Sequence, residues 1–455
     1  MMNQNKVIQL NPSQCYEDFE GWGTSLAWWG HAIGSWSQEN MEKVADLVFD
    51  VDKGLGLNIV RYNIGGGENP AIEHNTLRPG GDVPGFQPKE GQWDWEADQG
   101  QRRIMLAGIE RGVDIVEGFS NSPPYWMTKS GSVTGAVDGG NNLKDEYYQA
   151  FADYLSAVVL YYKEKHGVIF RTLNPLNEPI SAWWKKGNIQ EGCHFSREKQ
   201  EKIIDELYQS FRRNGITTTT ISASDENSMN ETIEVMGKYT HSTMEKIRQV
   251  NTHSYNGDQL TEVRALADKY GKKLWMSEYG TGGSAPHSHE DMTSVMELAN
   301  RIIQDLRILR PAAWIYWQAV EDEGANNNWG FIHADFVHQE EYEQTKQYYA
   351  MLNFSRFIRP GSRIIITPTD QSIAAYDEGT KRLTIVVQNN QEQAEEIGFE
   401  LSGFTWTKEK AQIYETTKTK NFQQATIALG SNGFRVKVDG ISVTTIVLDD
   451  VTINE

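Results

Sequence analysis

Eight short apolar runs, each ending in polar or glycine residues, recur at 20–24, 57–65, 114–122, 170–178, 219–225, 249–255, 273–279 and 312–319. Segments of helical period lie between them. Leu143, Tyr147, Phe151, Leu155, Val158 and Tyr162 form one apolar stripe, with Gly167 placed to cap its end. Ser196 stands as the N-cap of a second stripe, which carries Ile203, Ile204, Leu207 and Phe211 and meets Gly215. Met292, Val295, Met296, Ala299, Ile302, Ile303 and Leu306 form a third, halted by Pro311. Eight strand–helix alternations predict an α/β chain whose parallel sheet closes as a (β/α)8 TIM barrel. An open doubly wound sheet is the alternative. It normally carries a Gly-rich turn after its first strand, and Glu20-Gly-Trp-Gly-Thr-Ser25 has no dinucleotide fingerprint.

At 455 residues the chain exceeds one hydrophobic core, so a second domain is expected. Composition shifts near residue 358: of the 14 Trp, only Trp406 lies beyond it. The remainder reads as short β runs, at 364–367, 383–388, 424–428, 434–438 and 442–448. Turn signals such as Asp377-Glu-Gly379 and Ser431-Asn-Gly433 separate them. An appended antiparallel β-sandwich is predicted.

A net charge of −19 argues against nucleic acid and against an anionic membrane surface as partners. Cys15 and Cys193 are the two cysteines; they lack metal-type spacing and form no disulfide framework. No run reaches signal-peptide or membrane-span length, so the expectation is a cytoplasmic protein, or a secreted one whose signal has been removed.

In a (β/α)8 barrel the active site lies at the C-terminal ends of the strands. The fourth run ends Asn174-Pro-Leu-Asn-Glu-Pro179 and the seventh ends Trp275-Met-Ser-Glu-Tyr279. Each places a carboxylate, Glu178 or Glu278, at the mouth, and strands four and seven face one another across it. Two such carboxylates can flank one glycosidic bond. A separation of about 5–5.5 Å suits a retaining double displacement and a wider gap suits inversion. One must stay protonated and the other ionised, so their surroundings must differ. The plainer reading of either Glu is a salt bridge or a helix cap. Asn177, beside Glu178, could hold a sugar hydroxyl if a bulge turns both residues inward; otherwise it is a turn residue.

Asn177-Glu178-Pro179 after the fourth strand, with a Glu after the seventh, resembles clan A of the glycoside hydrolases. Gly21-Trp-Gly-Thr-Ser-Leu-Ala-Trp-Trp29, Asn58-Ile-Val-Arg-Tyr-Asn-Ile-Gly-Gly66, Ser120-Asn-Ser-Pro-Pro-Tyr-Trp-Met127 and the Thr134-Gly135 pair are similar to glycoside hydrolase family 30. The resemblance spans essentially the whole chain. It implies a catalytic barrel over 19–357 and a sandwich over 358–455 that residues 1–18 join. It further implies a retaining mechanism without cofactor, with Glu178 as acid/base and Glu278 as nucleophile. Arg61, ending the second strand, would lie beneath the nucleophile and favour its ionised form; its plainer role is an ion pair in the barrel floor. Tyr255 could donate to the nucleophile and His253 could touch a sugar hydroxyl, though a lone His is as often a satisfied core residue. His287 and His289 have no carboxylate or Cys at ligand spacing, so no metal site is expected.

Sugar rings stack their CH faces on indoles. Trp28, Trp29, Trp126, Trp183, Trp184, Trp317 and Trp329 fall near strand ends, with Trp29, Trp126 and Trp317 assigned to substrate; Trp22, Trp275 and Trp314 read as core. Glu321, Asp322 and Glu323 read as a solvated acidic loop. The segments 23–29 and 121–127 look most like the endo-β-1,6-galactanase group of the family, which favours β-1,6-linked galactose as substrate. Other family substrates stay open: β-1,6-glucan, glucuronoxylan, or a β-glucoside or β-xyloside. Glucuronoxylan ranks lower, because beyond Lys185-Lys186 the barrel loops carry no basic cluster for a uronate. An inactive carbohydrate-binding protein and a non-glycosidase barrel enzyme such as a lyase are the readings from other classes.

Overall fold

The computed structural model describes residues 6–17, 19–72, 76–282, 286 and 288–454. Eight parallel strands close into a barrel: β1 Gly21–Ser25, β2 Ile59–Asn63, β3 Ile115–Phe119, β4 Thr172–Asn174, β5 Thr220–Ser228, β6 Ile247–Asn256, β7 Lys273–Glu278 and β8 Ala313–Gln318. These are the eight apolar runs. The helix Tyr148–His166 carries the first predicted stripe and ends on Gly167, whose φ of 67° is the left-handed cap that glycine accepts without strain. Ser196 occupies the N-cap of Arg197–Arg213, although its hydroxyl makes no cap hydrogen bond there. Asp291 caps Met292–Gln304 through Thr293 and Ser294.

Inside the barrel, period-2 alternation stacks two kinds of layer. Ile59, Trp275, Ala313 and Ile315 fill the lower end with an apolar plug. Two residues beyond Ile59, Trp275 and the adjoining Ile115 stand Arg61, Ser277 and Glu117, so the upper interior is polar. The outward faces of the strands pack on the helices. Trp22 and Trp314 meet edge to face there at 6.2 Å, and the Trp22 indole donates to the carbonyl of Ile358. Gly21 is required where β1 begins: its φ is 124°, and a Cβ would sit 2.0 Å from the Asn58 amide oxygen.

Beyond the barrel, a seven-stranded antiparallel sheet packs against a three-stranded one around Ile8, Ile385, Phe399 and Ile446. Lys6–Leu10 enters the smaller sheet beside Glu395–Leu401, and Cys15–Tyr16 enters the larger one beside Arg363–Ile365. The pairing of Lys6–Leu10 is parallel, an exception to the antiparallel pattern. Residues 1–5 and 18 lie outside the described residues, as does His287. Cys15 and Cys193 are both free thiols. Among the described residues no helix is long and apolar enough to cross a membrane.

The segment after β8 departs from the sequence reading. Val320–Asp322, Ile332–Ala334 and Tyr342–Gln344 form a small three-stranded sheet. Glu321 is fully buried and pairs with Arg78 at 2.6 Å, and Asp322 is buried too. Only Glu323 remains in solvent as a loop acid would. The Arg78 guanidinium offsets the Glu321 charge, and that makes the burial tolerable.

Candidate active site

Irregular backbone at the barrel mouth aims the polar side chains. Between β6 and β7 the register jumps from Thr252 opposite Met276 to His253 opposite Glu278, skipping Ser277. The bulge brings Glu278 to the mouth while Ser277 still faces inward, where its hydroxyl donates to Asp225. Between β5 and β6 the register skips Asp225, which has a φ of 67°. Between β8 and β1 it skips Trp317. Glu178 lies past the end of β4 with a φ of 46°, and its N–H donates to the Asp225 carbonyl at 2.8 Å. Left-handed backbone at two non-glycine residues in direct contact is uncommon and clusters at functional sites.

The two glutamates converge on one imidazole. Glu178 Oε1 accepts from Asn227 Nδ2 at 2.7 Å and lies 3.1 Å from His253 Nδ1. Glu278 Oε1 accepts from the Tyr255 hydroxyl at 3.0 Å and lies 3.6 Å from the same Nδ1. Glu278 Oε2 lies 3.5 Å from Arg61 Nη1. One carboxylate oxygen from each Glu and a His253 nitrogen all fall within 4.8 Å of one another.

A fully buried network supports them. Arg61 donates through Nε to Glu117 at 2.9 Å, through Nη2 to Asp225 and through Nη1 to the Ser277 carbonyl at 3.1 Å. Glu117 also accepts from Thr172, Ser222, Gln249 and Asn251. His253 Nε2 stands 3.2 Å from Asp225 Oδ1. Burial opposes the charge on His253, but the Glu278 and Asp225 carboxylates overcome it and push its pKa well above the ordinary value, so it is an imidazolium at neutral pH. Burial likewise opposes ionisation of Asp225, yet Arg61 and His253 hold its carboxyl below the usual range. Glu278 is raised to about 7: burial is the main cause, Glu178 and Asp225 add to the rise, and His253 and Arg61 oppose it. Burial and Glu278 raise the Tyr255 phenol, which therefore keeps its proton as a donor.

Glu178, His253 and Glu278 are close enough to offer a metal one ligand atom each. Asn227 and Tyr255 already donate to the two carboxylates, and Arg61 already supplies positive charge beside Glu278. The arrangement fits proton transfer and nucleophilic attack better than metal binding.

A cavity of about 530 Å³ opens above the pair, lined by Asn121, Asn177, Trp183, Asn227, Tyr255, Trp317 and Trp329 among others. Of the residues assigned to substrate, Asn177, Tyr255 and Trp317 reach it. The Asn177 amide oxygen has no partner among the described residues. Trp28 and Trp317 meet edge to face at 5.0 Å in its wall.

Three assignments need correction. Trp29 is fully buried, stacked on Phe49 at 6.2 Å with its indole N–H on the Ser25 carbonyl; it is core. Trp126 is outside the cavity lining, its indole N–H donated to Gln87 and its ring against Tyr147. Both follow strand ends in sequence, but the loops turn their rings inward to apolar neighbours. His253 is fully buried beneath the carboxylates, 3.1 Å from Glu178 and outside the cavity lining, whereas Arg61 lies beside Glu278 and pairs with Glu117 and Asp225, as its sequence reading has it. Asp225, Glu117 and Asn227 were missed. Asp225 ends the fifth apolar run just as Glu178 ends the fourth, and that parallel was the available signal.

Comparison with known proteins points to one family. A sequence model of O-glycosyl hydrolase family 30 matches residues 5–328. An endo-β-1,6-galactanase of Hypocrea rufa is 30% identical over 407 residues, covering 84% of this chain and 81% of that protein. An exo-β-1,6-galactobiohydrolase of Bifidobacterium longum subsp. longum is 24% identical over 91% of this chain and 36% of its own length. Among solved structures, a conserved exported protein from Bacteroides fragilis superposes with a TM-score of 0.84 at 23% identity, over 97% of this chain and all of that one.

Proposed function

Because the chain belongs to O-glycosyl hydrolase family 30, we propose that it is a retaining glycosidase cleaving β-1,6-linked galactose in galactan or galacto-oligosaccharides. The observation that carries the mechanism is the separation of Glu178 and Glu278, whose nearest oxygens lie within 4.8 Å. Inversion needs about 6.5–9.5 Å so that a water fits between carboxylate and sugar, whereas double displacement uses about 5–5.5 Å.

Glu178 donates its proton to the leaving glycosidic oxygen while Glu278 attacks the anomeric carbon. A water then enters where the leaving group stood, gives its proton to Glu178, and releases the sugar from Glu278 with its configuration retained. Asn227 orients Glu178, and Tyr255 and Arg61 orient Glu278. Substrate binding expels water from above the pair and strengthens these contacts. The imidazolium between the two acids compensates negative charge as it moves from one carboxylate to the other.

The choice of sugar rests on the 30% identical relative named as an endo-β-1,6-galactanase. The cavity supports a neutral ring: indole and amide side chains dominate its lining, and among the described residues no Lys or Arg contributes to it. That lining disfavours a uronate substrate such as glucuronoxylan. The test is a hydrolysis panel of β-1,6-galactan, β-1,6-glucan, glucuronoxylan and aryl β-glycosides, with a slow fluorosugar to trap the glycosyl-enzyme on Glu278. Activity on β-1,6-glucan without activity on β-1,6-galactan overturns the sugar and leaves the mechanism. Undiminished turnover by Glu278→Gln overturns the mechanism, and binding without turnover by the unmodified protein identifies an inactive binding protein.

A further inference from the structure

Further hollows adjoin the cavity above the catalytic pair. Ile189 and Trp329 also wall a second cavity of about 700 Å³, and Arg78, Pro79 and Val337 of that second cavity wall a third of about 570 Å³. Three hollows thus adjoin one another in sequence at the barrel mouth. Its middle section is built by the small sheet after β8, whose Glu321 anchors Arg78, while the Arg78 guanidinium stacks 3.9 Å from the Trp28 ring. The wall shared with the catalytic cavity is thereby held rigid.

Two features give that middle section a chemical character. Large apolar side chains are left in solvent along its edge: Ile189 is 55% and Val337 61% exposed, and Trp183, 46% exposed, rims the adjoining catalytic cavity. Apolar groups held out in water beside a cavity mark a surface that a ligand covers. The polar lining is acidic, with Asp322, Glu323 and Asp335, and the charge of its one Arg is already neutralised by Glu321. Carboxylates accept hydrogen bonds from hydroxyls and repel anions. Side chains that cover CH faces, next to acceptors for hydroxyl groups, suit a carbohydrate without charge.

We infer that this middle section is a distal subsite that binds the continuing, neutral part of the saccharide chain and discriminates against sugars bearing a carboxylate. The inference rests on the glycosidase reading above and adds to it where the rest of the substrate lies. Each additional sugar that fills the section adds contacts to the transition state, so kcat/KM rises with substrate length. One hydroxyl–carboxylate hydrogen bond corresponds to about tenfold.

The test is a length series of neutral β-1,6-galacto-oligosaccharides, from two to six sugars, and the same series tipped with glucuronate. Rates are normalised to each enzyme's own rate on an aryl β-glycoside. The unmodified enzyme should gain about tenfold in kcat/KM on the longer neutral substrates and lose that gain on the tipped ones. Val337→Asp and Glu323→Lys change exposed side chains and so keep the fold. Val337→Asp removes an apolar contact and should reduce the length gain, and Glu323→Lys should narrow the neutral-over-acidic preference. A flat length series, a length gain unchanged in Val337→Asp, or equal use of neutral and tipped substrates overturns the inference. If the galactose series is inert, the same series built from β-1,6-linked glucose is run. A length gain there keeps the subsite and overturns only the sugar assignment.

Discussion

The Nδ1 of His253 stands 3.1 Å from Oε1 of Glu178, and the same nitrogen lies 3.6 Å from Oε1 of Glu278. One imidazolium thus bridges the two acids. The Glu178 carboxylate is among the groups that push Glu278 up to about 7. Glu178→Gln removes that charge, so Glu278 should ionise at lower pH. The acid limb of kcat/KM is expected to move down in the variant. An aryl glycoside whose leaving group departs without protonation reads this directly; a limb that stays or moves up contradicts the coupling.

The same variant separates the roles of the two carboxylates. Loss of a general acid costs about 10²–10⁴-fold on substrates with poor leaving groups and far less on activated ones. Added azide should restore turnover of the activated substrate by Glu178→Gln and yield the β-glycosyl azide. An α-azide product, or equal losses on both substrate classes, would assign the acid role elsewhere.

Arg61 is the cation on which the buried floor depends. It contacts Glu117, Asp225 and Glu278, and its side chain is wholly removed from solvent. Arg61→Met leaves those carboxylates without their partner in a low-dielectric interior. A loss of about 3–5 kcal/mol in unfolding free energy is expected from urea titration. A loss below about 1 kcal/mol would mean that the four other side-chain donors around Glu117 carry the floor without Arg61.

Trp29 and Trp317 should part company on mutation. Trp29 is sealed in the core, so Trp29→Ala should cost about 3–5 kcal/mol of stability with KM little changed. Trp317 lines the cavity, so Trp317→Ala should raise KM with a smaller loss of stability. Thermal unfolding and steady-state kinetics on the two variants decide it; a KM effect confined to Trp29→Ala would reverse the assignment.

The barrel was legible because each strand is buried on both faces and reads as an apolar run, and because the helices keep a 3.6-residue stripe. Glu178 and Glu278 were legible because they interrupt the ends of such runs. The directions of side chains at the mouth were not. Asp225, Ser277 and Trp317 each sit at a register break, and alternation extrapolated from a strand assigns the wrong face after a bulge. Trp29 was misplaced for a related reason: a Trp near a strand end looks the same in sequence whether its loop turns it to the cavity or to Phe49. The burial of Glu321 could not be read either, because its partner Arg78 is 243 residues away.

Stability should fall as pH rises from mildly acidic to alkaline. His253 has its pKa raised on folding from about 6.5, so its contribution is fully present below that pH and is lost as pH climbs through the higher folded value. Glu278 is raised from 4.5 to about 7, so the folded state binds an extra proton between those values and loses stability across that window. Asp225 works in the opposite sense, but its depressed carboxyl is ionised throughout this range. Glu278→Gln removes one of these contributions outright. It also removes the largest group raising His253, which brings the folded pKa of that imidazole back toward its ordinary value. The decline in unfolding temperature between pH 5 and pH 9 should therefore be shallower in Glu278→Gln than in the unmodified enzyme. An equal or steeper decline would mean that the charges of the catalytic cluster do not govern how this fold responds to pH.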